Sequence, residues 1–350
     1  MKWKLFNERW ANWELWPFWM RYFTILPAWL WYCIRSGSFW FFTPSNPTLT
    51  FGGFEGEDKR EMYNLLQIGS YPKTIYISPL DLYKDVQRKI SEENFTYPFC
   101  VKPDVGMKGL LFRKVDNEEQ LKLYHNTVPV EYLVQELIQY PIEASVFYYR
   151  YPNEQKGVIT GFIQKELMEV VGNGKDSLLQ LILTHPKARY KIDEMKLKHA
   201  DNLDKVIADK QKYFLTHAAN LNRGAKFINL RHLISDRMLE QFDRISHESQ
   251  FYYGRYDLKC KSLEGLINGN FIVLEFNGSG AEPNHVYNAG YTLWQAQKEF
   301  LMHWKVLFRI SRYNAKHKVG YWPFLKGWKF LRKSGQHLKL LEEYDTKILF

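Results

Sequence analysis

Two short triplets late in the chain, Arg255-Tyr256-Asp257 and Glu275-Phe276-Asn277, constrain its fold more than any other segment. Between them Asn268-Gly269 is a turn signal, and the pattern predicts a β-hairpin. Asp257 falls on the incoming strand, and Glu275 and Asn277 on the returning one. Strand side chains alternate with period two, so Glu275 and Asn277 share a face. Three hard oxygen donors on one face, with Arg255 two residues before the aspartate, suit Mg²⁺ carrying phosphate. An ordinary acidic surface hairpin accounts for the same letters, so the choice falls to the upstream half.

At 350 residues the chain can bury a substantial core in two or three subdomains. Its three cysteines (Cys33, Cys100, Cys260) form no CxxC pair, which argues against a zinc site or disulfide framework and fits a reducing compartment. No cleavable signal peptide is expected, because the early apolar stretch carries tryptophan and lacks a small-residue cleavage site. Net charge is +10, and ten basic residues between Lys305 and Lys339 with no acid among them account for it. Eight of the twelve tryptophans lie in the first forty residues and the other four after residue 293, so the two ends share a chemistry that the middle lacks.

Along the chain, residues 1–42 read as aromatic-rich helices broken by Pro17 and Pro27. Asp58 is placed to cap a helix through Leu66. Strands are expected at 73–77, 97–103, 110–115, 132–137, 145–149 and 158–165. Helices are expected near 81–93, 117–124, 178–183, 235–247 and 291–308.

The middle holds two further features. Lys102-Pro103-Asp104-Val105-Gly106-Met107-Lys108-Gly109 places a strand-end lysine before a loop with two glycines. Glycines let backbone N–H groups approach phosphate, and Lys102 and Lys108 add compact charge. The loop is neither a P-loop nor a dinucleotide fingerprint, and a plain hairpin turn is the alternative. Downstream, the strand edge Gln135-Glu136-Leu137-Ile138-Gln139 offers backbone groups to an adenine edge, and Glu143 is an acid able to accept from ribose hydroxyls.

The order of these parts is lysine strand, glycine loop, strand, hinge with Glu136 and Glu143, long insert, Arg-x-Asp, then Glu-x-Asn. That order resembles the ATP-grasp superfamily, and within it the carboxylate–amine ligases that include D-alanine–D-alanine ligase and cyanophycin synthetase. The resemblance covers about residues 58–290. Val170-Val171-Gly172-Asn173-Gly174-Lys175-Asp176-Ser177 and the Asn- and Gly-containing Asn220–Ala225 are similar to stretches of the cyanophycin and glutathione synthetase relatives.

The resemblance implies an α+β fold in which two α+β subdomains clamp ATP, flanked by an aromatic-rich helical N-terminal segment and a basic helical C-terminal tail. The implied divisions are 1–57, 58–140, 141–300 and 301–350. Lys102, Gly106, Lys108 and Gly109 would meet the phosphates. Gln135 to Gln139 would meet adenine, and Glu143 the ribose. Asp257, Glu275 and Asn277 would hold Mg²⁺. Arg255 would stabilise the transferring phosphoryl group, with Lys165 and Arg223 as further phosphate or carboxylate contacts. Gly280 and His285 would border the substrate pocket. Gly278-Ser279-Gly280 stands where the family carries Pro-Gly, so the acceptor side departs from the pattern. The implied reaction activates a carboxylate as an acyl phosphate and joins it to an amine. The alternatives are a membrane-surface nucleotide-binding adaptor without turnover and a kinase acting on a hydroxyl.

The chain ends leave three readings open: a membrane-surface contact, a helical cap on the body, and a membrane span over Trp16–Ile34. Arg21 and two internal prolines argue against the span, and Trp and Tyr favour the headgroup region. The expected location is cytoplasmic, with peripheral contact at the inner membrane face. The expected partners are small-molecule carboxylates and amines, without nucleic acid.

Overall fold

Period-two alternation builds two larger antiparallel sheets and a small two-stranded one. The structure, a computed structural model, describes residues 10–107, 109–216, 224–348 and 350. The fold is α+β, as expected. The first sheet contains β1 (Thr74–Ile77), β2 (Phe99–Pro103), β3 (Arg113–Val115) and β4 (Tyr132–Glu136), in the order β1-β4-β2-β3. Its Ile77, Phe99, Val101, Tyr132 and Val134 pack on Val86 and Ile90 of the helix Tyr83–Glu92 and on Leu121 and Tyr124 of the helix Glu118–Thr127. Its other face carries Tyr76, Leu133 and Lys102, and Leu133 and Tyr76 join the core of the larger lobe.

The chain continues through β5 (Ile142–Tyr149) and β6 (Val158–Glu166) into a small insert. There β7 (Glu169–Val171) pairs with β8 (Lys212–Phe214) over a separate core that includes Leu178, Ile182 and Met195. It returns as β9 (Lys226–Asn229), β10 (Tyr253–Cys260) and β11 (Ile272–Asn277). The second sheet runs β11-β10-β5-β6-β9. Ala144, Val146, Tyr148, Tyr256 and Leu258 bury one face against Met238 and Phe242 of the helix Asp236–Ser249. Burying a side chain the size of Val146 or Leu258 is worth about 1.5–3 kcal/mol, and the helix is capped by Ser235, whose side chain accepts from Met238 N–H.

Several local expectations are corrected. The Asn-Gly signal does not close a two-residue hairpin. Ser262 caps a one-turn helix, Leu263–Ile267, and Asn268-Gly269 ends it, with Gly269 at φ +89°. Pro27 does not break a helix. It lies in the first turn of the helix Ile25–Ser36, where its missing N–H has no intrahelical partner to lose. The strand expected from residue 110 begins at Arg113, because Leu111 turns the chain at φ +56°. Asp58 caps its helix as expected, accepting from Glu61 N–H at 2.6 Å, but that helix ends at Tyr63.

Both chain ends pack as a cap. Trp40, Phe41, Phe42 and Phe51 share a cluster with Val306, Leu307 and Ile310 of the helix Leu293–His317. The basic tail forms the helix Phe324–Asp345, and its Leu341, with Ile348 beyond it, joins the core of the first sheet. Among the described residues no helix is long and apolar enough to cross a membrane.

Candidate functional site

Register places the key side chains before any contact is considered. Asp257 stands opposite Glu275 on β11 and opposite Ser145 on β5. One step along, Arg255 stands opposite Asn277 and Phe147. On the other side, Lys259 stands opposite Glu143, which stands opposite Lys165 on β6. Alternation therefore puts Glu143, Ser145, Lys165, Arg255, Asp257, Lys259, Glu275 and Asn277 on one face, opposite to the face that buries Tyr256 and Leu258.

Asp257 is the centre of this face. Lys165 Nζ lies 3.0 Å from its Oδ1. Arg255 donates from Nε and Nη2 at 3.2 and 3.3 Å, Asn277 Nδ2 donates at 3.3 Å, and the Ser145 hydroxyl donates a short bond. Burial alone would raise the Asp257 carboxyl, but Arg255 and Lys165 overcome it and hold the group well below the usual carboxylate range. Arg255 also donates to Glu282 O at 3.1 Å, which ties the strand to the following loop.

The first sheet supplies the opposing wall. Among the described residues Lys102 makes no ion pair. Burial lowers its ammonium pKa, opposed by the nearby Cys100, Glu275 and Asp104. The glycine loop is docked on the helix Lys59–Tyr63: Asp104 Oδ1 accepts from the N–H groups of Lys59 and Arg60 at 2.9 and 3.2 Å. That docking carries Lys59 Nζ to 3.3 Å from Gly106 O and 3.6 Å from Glu275 Oε1. Lys59 thus bridges the glycine loop and the acidic strand. Neither motif nor period in the sequence singles it out. Lys259 and Ser145 were also missed, although each lies two residues from a chosen acid on the same strand face.

The hinge is used differently from expectation in part. The Gln135 side chain is buried and donates to Tyr63 Oη and Thr74 Oγ1 at 3.0 and 2.7 Å. Ile138 O accepts from Lys259 Nζ at 3.0 Å. Glu136 and Gln139 are exposed and Leu137 half-buried. Glu143 pairs with Lys165 at 3.4 Å. Gly109 is partly exposed in the loop. Lys108 and Arg223 lie outside the described residues.

Of the two expected pocket residues, Gly280 is exposed and His285 is buried. A Cβ on Gly280 would sit 2.0 Å from Phe54 O, and Gly280 N–H donates to Gly53 O at 3.2 Å. The Gly52-Gly53 turn, with Gly53 at φ +69°, lies backbone to backbone on Gly278. Asn46 sets this turn: its amide donates to Gly52 O and Tyr253 O and accepts from the N–H groups of Tyr252 and Tyr253. His285 is fully buried against Gly161 and neighbours His303, so it is a packing residue and not an exposed pocket wall.

For Mg²⁺, the residues fit in donor chemistry: two carboxylates and an amide oxygen on adjacent register positions. Among the described residues Glu275 carries only the 3.6 Å Lys59 ion pair, whereas Asp257 is already heavily engaged. Among the described residues no group of three His, Cys, Asp or Glu side chains is arranged to hold a metal without the amide.

No family model and no curated protein matches the chain. Solved structures do. D-Alanine–D-alanine ligase from Bacillus anthracis is similar over 73% of this chain and 68% of its own, at 14% identity and a TM-score of 0.43. A bifunctional glutathione synthetase from Pasteurella multocida is similar over 73% and 38%, at 17% identity and a TM-score of 0.40. The ATP-grasp ligase PsnB is similar over 70% and 60%, at 16% identity and a TM-score of 0.38. The chain therefore spans well under two thirds of the glutathione synthetase and somewhat under two thirds of PsnB.

Proposed function

We propose that the chain is an ATP-dependent, ADP-forming ligase that activates a carboxylate and joins it to an amine. The observation that carries this reading is Lys102: a half-buried ammonium with no ion pair among the described residues, its pKa lowered by desolvation and near enough to Glu275 and Asp104 to feel their charge. A desolvated cation is costly, and an anionic ligand beside it relieves that cost.

In this reading Lys102, Lys59 and the glycine loop hold the triphosphate, while Glu143 and the Glu136–Gln139 edge hold the nucleoside. Asp257, Glu275 and Asn277 would hold Mg²⁺, which when bound neutralises charge on phosphate oxygens. Arg255, held in place by Asp257 and Glu282 O, would face the charge that develops on the γ-phosphoryl group. A substrate carboxylate oxygen attacks the γ-phosphorus and the bond to the bridging oxygen of ADP breaks. The amine then attacks the acyl carbon, phosphate leaves, and the amine gives up a proton. The facing lobes exclude water from the acyl phosphate. ADP release that depends on an added carboxylic acid, with hydroxamate formed when hydroxylamine is the acceptor, tests the reading. No ADP with a broad panel of acids and amines would overturn it.

A further inference from the structure

The helices Phe18–Tyr22 and Ile25–Ser36 follow one another with only Phe23 and Thr24 between, both in helical backbone conformation. Their inner face is already satisfied. Tyr22 stacks on Phe300 at 4.9 Å and Tyr32 on Phe308 at 4.6 Å, while Ile25 is buried. Their outer face is apolar as well. Trp19, Phe23, Leu26, Leu30 and Ile34 recur at steps of four, three, four and four, which is one stripe of a helix, and their exposures run from 48% to 74%. Packing against the body explains the inner stripe and leaves the outer one unexplained.

The surface continues onto the other end of the chain. Phe39 meets Trp29 at 4.5 Å and Phe324 at 5.6 Å, which joins the end of the N-terminal helix to the start of the helix Phe324–Asp345. There Phe324, Leu325 and Trp328 are each more than half exposed. The exposed charges around them are Arg35, Lys326, Lys329, Arg332 and Lys333. No acid occurs between Glu14 and Glu55 or between Glu299 and Glu342.

We infer that this joint face of the two chain ends docks on an anionic phospholipid surface. Tryptophan-rich apolar stripes sit at the headgroup boundary, and cations without interspersed acids complement lipid phosphate. A contiguous apolar patch rimmed mostly by cations is not the ordinary surface of a monomer. A second copy of this chain is the other occupant of such a face, but two copies would bring the same cations together without an acid to offset them. The inference is independent of the ligase reading, because docking needs neither ATP nor turnover.

Co-sedimentation of the full chain with vesicles tests it. Binding is expected to phosphatidylcholine vesicles containing roughly 30% phosphatidylglycerol at low salt, and to fall at ~0.5 M salt or without the anionic lipid. Trp19→Ser with Trp328→Ser, and separately Lys326→Glu with Lys329→Glu, are each expected to weaken binding about tenfold or more while the thermal melt stays that of the wild type. Absence of wild-type binding to the anionic vesicles overturns the inference, as does binding that both variant pairs leave unchanged. A concentration-dependent dimer that the tryptophan pair dissociates, with no vesicle binding, assigns the face to a second copy and also overturns it.

Discussion

Lys165 and Asp257 meet across the intervening strand β5 of the second sheet, with Nζ 3.0 Å from Oδ1, although they are 92 positions apart in the chain, with the whole insert between them. Both side chains are almost fully buried, so the pair exists only because Arg255, Ser145 and Glu143 complete its hydrogen bonds. Removing one partner of a buried pair costs about 3–5 kcal/mol. Lys165→Met is therefore expected to lower the unfolding midpoint in urea markedly and to abolish acid-dependent ADP release. A variant as stable as the wild type would mean the pair is solvated.

Glu275 separates activity from stability. Its carboxylate is more than a third exposed and its pair with Lys59 is long at 3.6 Å, so Glu275→Gln is expected to change stability by less than about 1 kcal/mol. ADP release is expected to fall by about a hundredfold or more, because a metal ligand is lost. Thermal melts alongside ADP assays check both halves, and unchanged turnover at saturating Mg²⁺ would remove Glu275 from the site.

Lys102 offers the opposite sign. Burial lowers its ammonium pKa, so in the ligand-free protein the charged form carries a penalty at neutral pH. Lys102→Met is expected to leave the ligand-free protein at least as stable as the wild type and to weaken nucleotide binding about tenfold or more. Calorimetry with ATP analogues and a urea titration read the two effects. Loss of stability without loss of nucleotide binding would make Lys102 structural.

Gly280→Ala tests the close approach of Phe54 to the Gly278–Gly280 turn. The added methyl would lie 2.0 Å from Phe54 O, inside any tolerable contact, so the two loops must separate. A stability loss of about 2–4 kcal/mol is expected, comparable to other overpacked sites. A crystal structure of the variant with both loops unmoved would contradict the close packing.

The acid limb of stability is expected to follow the buried histidines. Burial depresses His303 to about 3 and lowers His285 as well. A histidine depressed in the folded state binds its proton more readily when unfolded. Its contribution is therefore fully present above the ordinary value near pH 6.5 and is lost as pH falls below that toward the folded value. His303→Gln keeps a partner for Thr160 and is expected to flatten the fall in stability between about pH 6.5 and 4. An unchanged acid limb would place the effect elsewhere.

Legibility in the sequence tracked the range of the interaction. Strand alternation sufficed to put Glu275 and Asn277 on one face, and the same rule, carried two residues further, reaches Lys259 and Ser145. The cap at Asp58 was legible because it depends on Glu61 three residues away. The Asn-Gly signal misled because Ser262 offered the intervening residues a capped helix, a local competitor that a turn motif does not weigh.

The letters of the chain alone determined its class, most of its longer strands, its polar triplets and the unequal chemistry of its ends, whereas the short strands β7, β8 and β9 went unread. Only the tertiary structure decided that Lys59 joins the glycine loop to Glu275, that Phe54 O lies close against Gly280 and that His285 is sealed away. Those outcomes depend on which backbones approach one another across dozens or hundreds of residues, and close approach of distant segments leaves no periodic trace in the chain.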